Sequence, residues 1–168
     1  MNAEEVYLGL GANLGTPKET FEKVLGKLSD FANIEKVSKL YKSAPYGFSD
    51  QPPFINAAVK ITTTLAPEIL LLELQALEKQ LGKKIICENG PRIIDIDLLL
   101  YGKISMCLKN LTIPHPEILV RDFVLLPLHD LNPNLSHPAW GVKTLKSAIS
   151  GLQKKYVDKN PETWEIQD

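Results

Sequence analysis

The segment Ile93–Tyr101 constrains the fold of this chain more than any other stretch. It is an apolar run entered through Gly90-Pro91-Arg92 and left through the turn Tyr101-Gly102-Lys103, which reads as a buried strand. Strand alternation puts Asp95 and Asp97 on one face of it, with Cα atoms ~6.6 Å apart. Two adjacent carboxylates repel each other, and burying either one unpaired is costly. That face therefore needs cations. Hard oxygen ligands on a rigid strand suit Mg²⁺, which keeps waters and takes further ligands from phosphates. Two such ions can clamp a polyphosphate on both sides of a displacement. The alternative is a half-exposed strand whose aspartates pair with surface lysines or arginines.

The remaining elements place this strand last in a series. Val6–Leu10 reads as a buried strand, followed by a Gly-punctuated turn and a helix start with Thr16 as N-cap, Pro17 at N1 and Glu19 at N3. Phe21, Val24, Leu25, Leu28 and Phe31 carry helical spacing to about residue 32. Ile34–Tyr41 reads as a strand, and Ser43–Pro53, with three prolines, as a long loop. Phe54–Thr64 is a strand with Phe54, Asn56, Ala58 and Lys60 on one face. Pro67 opens an apolar helix stopped by Gly82. A weaker strand or hairpin follows at Ile104–Leu108, a helix from about Arg121, and a short helix near Thr144–Gly151. The order β-α-β-β-α-β suits an α+β, ferredoxin-like split βαβ sandwich, a mainly antiparallel sheet packed by helices with a C-terminal elaboration. A small doubly wound α/β fold is the alternative. The expected division is one domain over 1–153 and a polar tail or linker over 154–168.

Composition sets the outer bounds. The 168 residues carry 19 basic and 20 acidic side chains, a net charge of −1, so a polyanion binder is excluded but a phosphate binder is not. Length fits a single domain. Cys87 and Cys107 are far apart and too few for a structural zinc site; they read as reduced thiols of a cytoplasmic protein. The N-terminus has no basic and apolar signal pattern, and no apolar run is long enough to span a bilayer. Neither nucleic acid nor membrane is expected as a partner.

Several residues can serve a phosphate-bearing ligand. Lys83 and Lys84 flank the aspartate strand on a loop, Arg92 immediately precedes it, and Arg121 lies at a helix start; arginine offers a planar fork and lysine a point charge. His115, held between Pro114 and Pro116, can donate to a phosphate or nucleotide, or simply pack. Asn56 in a strand needs its amide satisfied, which a heteroaromatic ligand does well. Phe54 and Phe123 can stack such a ring or fill the core. Gly9-x-Gly11-x-x-x-Gly15 misses the dinucleotide spacing by one residue and reads as a tight strand-to-helix turn.

Together these segments resemble the 6-hydroxymethyl-7,8-dihydropterin pyrophosphokinase family. The resemblance rests on Leu8–Gly15, Tyr41–Gly47, Gln51–Ala58, Gly90–Leu98 with its Gly-Pro-Arg-x-x-Asp-x-Asp, Leu111–Pro116 and Arg121-Asp122-Phe123, in family order over about Val6–Pro138. It implies transfer of pyrophosphate from ATP to the pterin hydroxymethyl group with two Mg²⁺ ions, releasing AMP, in folate biosynthesis. By resemblance, Asp95 and Asp97 hold both metals and Arg92 stabilises the transferred phosphates, with Lys83 on the catalytic loop. Gln75, Glu78, Leu98, Thr112, His115 and Arg121 match nucleotide-contacting positions, which Arg92 joins. Asn56 matches the pterin-reading amide, Phe54 and Phe123 the enclosing rings, and Ser43, Ala44 and Tyr46 the pterin loop. Lys83, Asn89 and Asn110 depart from the arginine, tryptophan and arginine common in the family. Members occur alone or fused to other folate enzymes, commonly dihydropteroate synthase. Another Mg²⁺-dependent nucleotidyl- or phosphotransferase is the competing enzyme reading, and a non-catalytic ligand-binding module the competing class.

Overall fold

The computed structural model describes residues 2–45, 49–84, 87–158 and 161–164. Its elements are β1 (Glu4–Ala12), α1 (Pro17–Leu28), β2 (Asn33–Val37), β3 (Tyr41–Ser43), β4 (Phe54–Thr63), α2 (Pro67–Gln80), β5 (Asp95–Tyr101), β6 (Met106–Leu108), β7 (Leu111–Ile113), α3 (Asp122–Leu131) and α4 (Leu145–Ser150), with a short 3₁₀ turn at Pro138–Trp140. The main sheet runs β2-β4-β1-β5, antiparallel throughout, with β3 also on β4. This is the ferredoxin-like α+β sandwich expected from the order of elements. β6 and β7 form a separate hairpin.

Alternation in the strands divides the core in two. Val6, Leu8 and Leu10 of β1, Val59 and Ile61 of β4, and Ile96 and Leu98 of β5 share one buried cluster with Phe21, Val24, Leu25 and Leu28 of α1 and Leu70, Leu74 and Leu77 of α2. On the opposite face, Tyr7, Ala58 and Leu99 pack with Leu125, Leu128 and Leu131 of α3 and Leu145 of α4. The C-terminal elaboration thus covers the second face only in part. The uncovered part carries the site.

Local details differ from the sequence reading. The strand expected over Ile34–Tyr41 is broken between β2 and β3. At the break the Ser38 N–H donates to Ala58 O (2.9 Å), and Ser38 Oγ accepts the Ala58 N–H (2.8 Å), so a hydroxyl takes a ladder position. Thr16 stands at the N-cap with Pro17 following, but its side chain makes no capping bond.

The stretch read as a polar tail from residue 154 lies against the sheet over its described part. Leu40 and Glu162 exchange backbone hydrogen bonds of 2.7 and 2.9 Å. Trp164 is buried with its ring 6.1 Å from Phe21, and its indole N–H donates to Ser38 O (2.7 Å). The buried indole adds to these backbone bonds, contributing large contact area and satisfying its own donor.

Candidate active site

The register of the sheet builds the floor. Gly9 stands opposite Asp97 on β5 and Ala58 on β4; Gly11 stands opposite Asp95 and Asn56. Residues paired across antiparallel strands project from the same face. The face bearing both carboxylates and Asn56 is therefore paved with Gly, Gly and Ala, which leaves a hollow. A Cβ on Gly11 would sit 3.4 Å from Asn56 Oδ1, already in contact with the amide.

This hollow is the first of two pockets that Asp97 borders. Gly9, Gly11, Ser43, Ala44, Phe54, Asn56, Asn89, Gly90, Arg92, Asp95, Asp97, Arg121 and Phe123 line it. Asn56 is buried, and its Nδ2 donates to Ser43 Oγ (2.7 Å) and Tyr41 O (3.4 Å). With both amide hydrogens used by the protein, Oδ1 is left as an acceptor toward a ligand N–H. The Arg121 guanidinium lies over the Phe123 ring, 5.7 Å from its centroid, with Nε 3.8 Å from the Glu117 carboxylate.

The second pocket lies past the free edge of β5, between α2 and the β6–β7 hairpin. Gln75, Glu78, Lys83, Leu98, Lys109, Asn110, Thr112 and His115 line it. Asp97 borders both pockets. Because β5 is an edge strand, its outward N–H groups need partners from elsewhere. The buried Glu78 supplies one: its Oε2 accepts the Ile96 N–H (2.8 Å), between the two aspartates.

Charges concentrate at this junction. Lys83 Nζ reaches Asp95 Oδ1 (2.7 Å) and Glu78 Oε2 (2.9 Å), and Arg92 Nε lies 3.8 Å from Asp95 Oδ1. Partial burial works against the Lys83 charge, but bonding to Asp95 and Glu78 outweighs it and holds its pKa above the ordinary value. Asp97 opens onto the cleft yet is crowded by protein. Lost hydration first, then repulsion from Asp95 and Glu78, pushes its pKa up to about 6 against the pull of Lys83 and Arg121.

Arg92 is placed by its backbone. Its N–H donates to Asn13 Oδ1 (2.9 Å), and its carbonyl accepts from the Asn13 and Leu14 N–H groups (3.0 and 3.1 Å). Its guanidinium donates to Gly90 O, Pro91 O and Cys87 O. The turn that offers those carbonyls needs glycine at 90, since a Cβ there would meet Cys87 Sγ at 2.4 Å. Asn13 Nδ2 also donates to Gln51 Oε1 and Pro52 O (both 2.9 Å), and Gln51 Nε2 to Asn89 O (2.7 Å). One asparagine thereby ties the glycine turn to both long loops.

His115 has a defined tautomer. Its Nδ1 accepts the Glu117 N–H (3.2 Å), so the proton sits on Nε2. Burial and then the Arg121 charge lower its pKa, with Glu117 opposing. In a two-dimensional NMR titration His115 should titrate below 6.5 and remain neutral at pH 7. A midpoint above 6.5 would contradict this placement.

The structure brings Arg92, Asp95, Asp97, Ser43, Ala44, Phe54, Asn56, Phe123 and Arg121 to the first pocket, and Gln75, Glu78, Lys83, Leu98, Thr112 and His115 to the second. Arg92 and Arg121 thus stand with the first pocket's residues, beside the aspartates. Tyr46 lies outside the described residues. Sequence reading passed over Asn13 and Lys109. Asn13 sits inside the Gly-Ala-Asn-Leu-Gly turn, where a polar side chain two residues past a strand glycine was the available signal.

A pocket with an amide and two phenylalanines, meeting a polar pocket at one shared carboxylate, is the layout of a two-substrate group-transfer enzyme. Residues 7–133 match the family described as 7,8-dihydro-6-hydroxymethylpterin-pyrophosphokinase. The 2-amino-4-hydroxy-6-hydroxymethyldihydropteridine pyrophosphokinase of Aquifex aeolicus is 43% identical over 80% of this chain and 84% of its own length. That of Haemophilus influenzae is 41% identical over 90% and 92%. The folic acid synthesis protein fol1 of Pneumocystis carinii is 42% identical over 92% of this chain, which spans only 20% of that longer protein. The crystal structure of Plasmodium falciparum HPPK-DHPS with pteroate superposes with a TM-score of 0.75 at 16% identity, over 89% of this chain and 42% of the other. This chain belongs to the 7,8-dihydro-6-hydroxymethylpterin-pyrophosphokinase family, which uses ATP as co-substrate.

Proposed function

We propose that the chain moves the β,γ-pyrophosphoryl group of ATP onto the hydroxymethyl group of 6-hydroxymethyl-7,8-dihydropterin, releasing AMP, as a step of folate biosynthesis. The observation that carries this reading is the meeting of two chemically different pockets at Asp97. The hydroxymethyl oxygen attacks the β-phosphorus, and the bond from that phosphorus to the α,β-bridging oxygen breaks.

The first pocket takes the pterin. Asn56 Oδ1 accepts from a ring N–H, Phe54 and Phe123 bracket the ring, and Ser43 and Ala44 stand beside it. The second pocket takes the nucleotide, against Gln75, Glu78, Leu98, Thr112 and the Nε2–H of His115. Arg92 and Arg121 meet the phosphates as they cross between pockets; such transfer depends on positioning and charge neutralisation.

Among the described residues no group of three or more histidine, cysteine or carboxylate side chains forms a self-contained metal site. The donor set nonetheless suits Mg²⁺, which binds through one or two carboxylates and completes its shell with phosphate and water. Asp95 and Asp97 would hold two ions, and the crowding that raises the Asp97 pKa is a cation deficit of the kind they relieve. When bound, Mg²⁺ neutralises triphosphate charge. Lys83 supplies positive charge to Asp95 and Glu78 in the structure described here. The catalytic unit is residues 1–153, with Tyr156, Val157, Asp158, Glu162 and Trp164 bonded to it. The free Cys87 and Cys107 suit a cytoplasmic enzyme.

The test is product analysis with the full chain, ATP and the hydroxymethyldihydropterin. AMP and the pterin diphosphate should form with Mg²⁺ and cease with EDTA. Formation of ADP, or no turnover, would place the chain with other phosphotransferases or with binding modules.

A further inference from the structure

One set of contacts approaches the first pocket from behind without lining it. Asp122, the first residue of α3, is 2% exposed, and its Oδ2 accepts the N–H groups of Tyr156 (2.7 Å) and Val157 (2.9 Å). A buried carboxylate receiving two backbone donors makes a charge-assisted tie. Its sequence neighbours Arg121 and Phe123 both line the pocket. The same short segment reaches a second part of the lining. Tyr156 O accepts the Ala44 N–H (2.8 Å), and the Asp158 N–H donates to Lys42 O (2.8 Å), so that Ser43 and Ala44 are held from outside. The Tyr156 ring stands edge-on to Phe123, centroids 6.1 Å apart at 82°. Tyr156 is not among the residues lining either pocket.

We infer that residues 156–158 are a strap that positions the pterin half of the site, with Tyr156 as the positioning residue for the Phe123 ring and the Ala44 backbone. The inference rests on reading the first pocket as the pterin pocket. An edge-to-face partner fixes the Phe123 ring before a ligand arrives, and a pre-ordered ring loses less freedom on binding. Among the described residues, the hydrogen bonds and ring contact named for the strap go to Lys42, Ala44, Asp122 and Phe123, none of which lines the second pocket. Removing the Tyr156 side chain leaves its backbone bonds to Asp122 and Ala44 in place, so the effect should fall on one substrate alone.

The experiment uses the full chain and two direct titrations, one with 6-hydroxymethylpterin and one with Mg²⁺ and α,β-methylene-ATP. Tyr156→Ala should weaken pterin binding by about tenfold and leave nucleotide binding within about twofold, while Tyr156→Phe restores pterin affinity. If Tyr156→Ala does not fold, Tyr156→Leu takes its place, with an expected loss of about threefold. Unchanged pterin affinity, a loss shared equally by pterin and nucleotide, or a loss that phenylalanine does not restore overturns the strap. A wild-type chain that fails to bind the pterin overturns the reading of the pocket instead.

Discussion

Asp97→Asn should lower the rate of AMP release by about a thousandfold, the upper range for removing one preorganised charge-stabilising group, and should at the same time raise the melting temperature of the metal-free protein at pH 7. The two effects share one cause. Asp97 is held at the border of both pockets against Asp95 and Glu78, where its ionised form is disfavoured and its pKa stands at about 6 rather than 3.8. A carboxyl whose pKa is raised by folding contributes stability that is fully present below 3.8 and is lost as pH rises through about 6. Above that, the folded protein carries a repulsion that the unfolded chain escapes. Asparagine removes it. The stabilisation should be largest at pH 7–8 and should vanish below about pH 4, which melting curves in EDTA at a series of pH values would show. Added Mg²⁺ with a nucleotide should stabilise the wild type more than the variant. Equal melting temperatures at pH 8 would mean that the carboxylates do not repel one another as their arrangement requires.

Asn56→Ala should raise the Michaelis constant for the pterin by about a hundredfold, since a site built to hydrogen-bond a ligand loses heavily when the bond goes, with nucleotide affinity unaltered. Asn56 sits on the central part of the floor with its donors spent on Ser43 and Tyr41, which fixes the orientation of its acceptor. Alanine removes that acceptor and strands the Ser43 hydroxyl. Asn56→Asp should be nearly as damaging. It keeps an oxygen toward the ligand and can accept from the Ser43 hydroxyl, but it brings a negative charge and sets its second oxygen against the Tyr41 carbonyl, to which the amide had donated. Steady-state kinetics with each substrate varied in turn would separate this one-sided loss from a general loss of folding, which would raise both Michaelis constants.

Much of this site could be read from residue order because it is written in strands. Alternation alone puts Asp95 beside Asp97 and Asn56 on the face of Phe54, and the sheet preserves both relations. The resemblance carried by Gly-Pro-Arg-x-x-Asp-x-Asp and Pro-His supplied the chemistry. What alternation does not contain is register. That Gly9 and Gly11 face the carboxylates follows from how β1 aligns with β4 and β5, a long-range pairing with no local sign. Loop residues were harder still. Asn13 looks like an ordinary turn residue until Arg92 and Gln51 are brought to it from 79 and 38 positions away. The packing of the stretch after residue 154 has no sign in its composition for a different reason: averaged over it the composition is polar, while its attachment depends on backbone groups and on Trp164.

That attachment has a consequence for the order in which the protein is made. The floor of the first pocket begins at Gly9, near the start of the chain, whereas the segment that backs its walls emerges more than a hundred residues later. A growing chain on the ribosome can pair β1 with β4 and β5 and close both helices over the sheet well before Tyr156 exists. At that stage Asp122 has neither of its N–H partners, and β3 has an open edge next to Ala44. The ring pocket is therefore completed only after Tyr156 has emerged, and a nascent chain carries its carboxylates before it carries a finished first pocket.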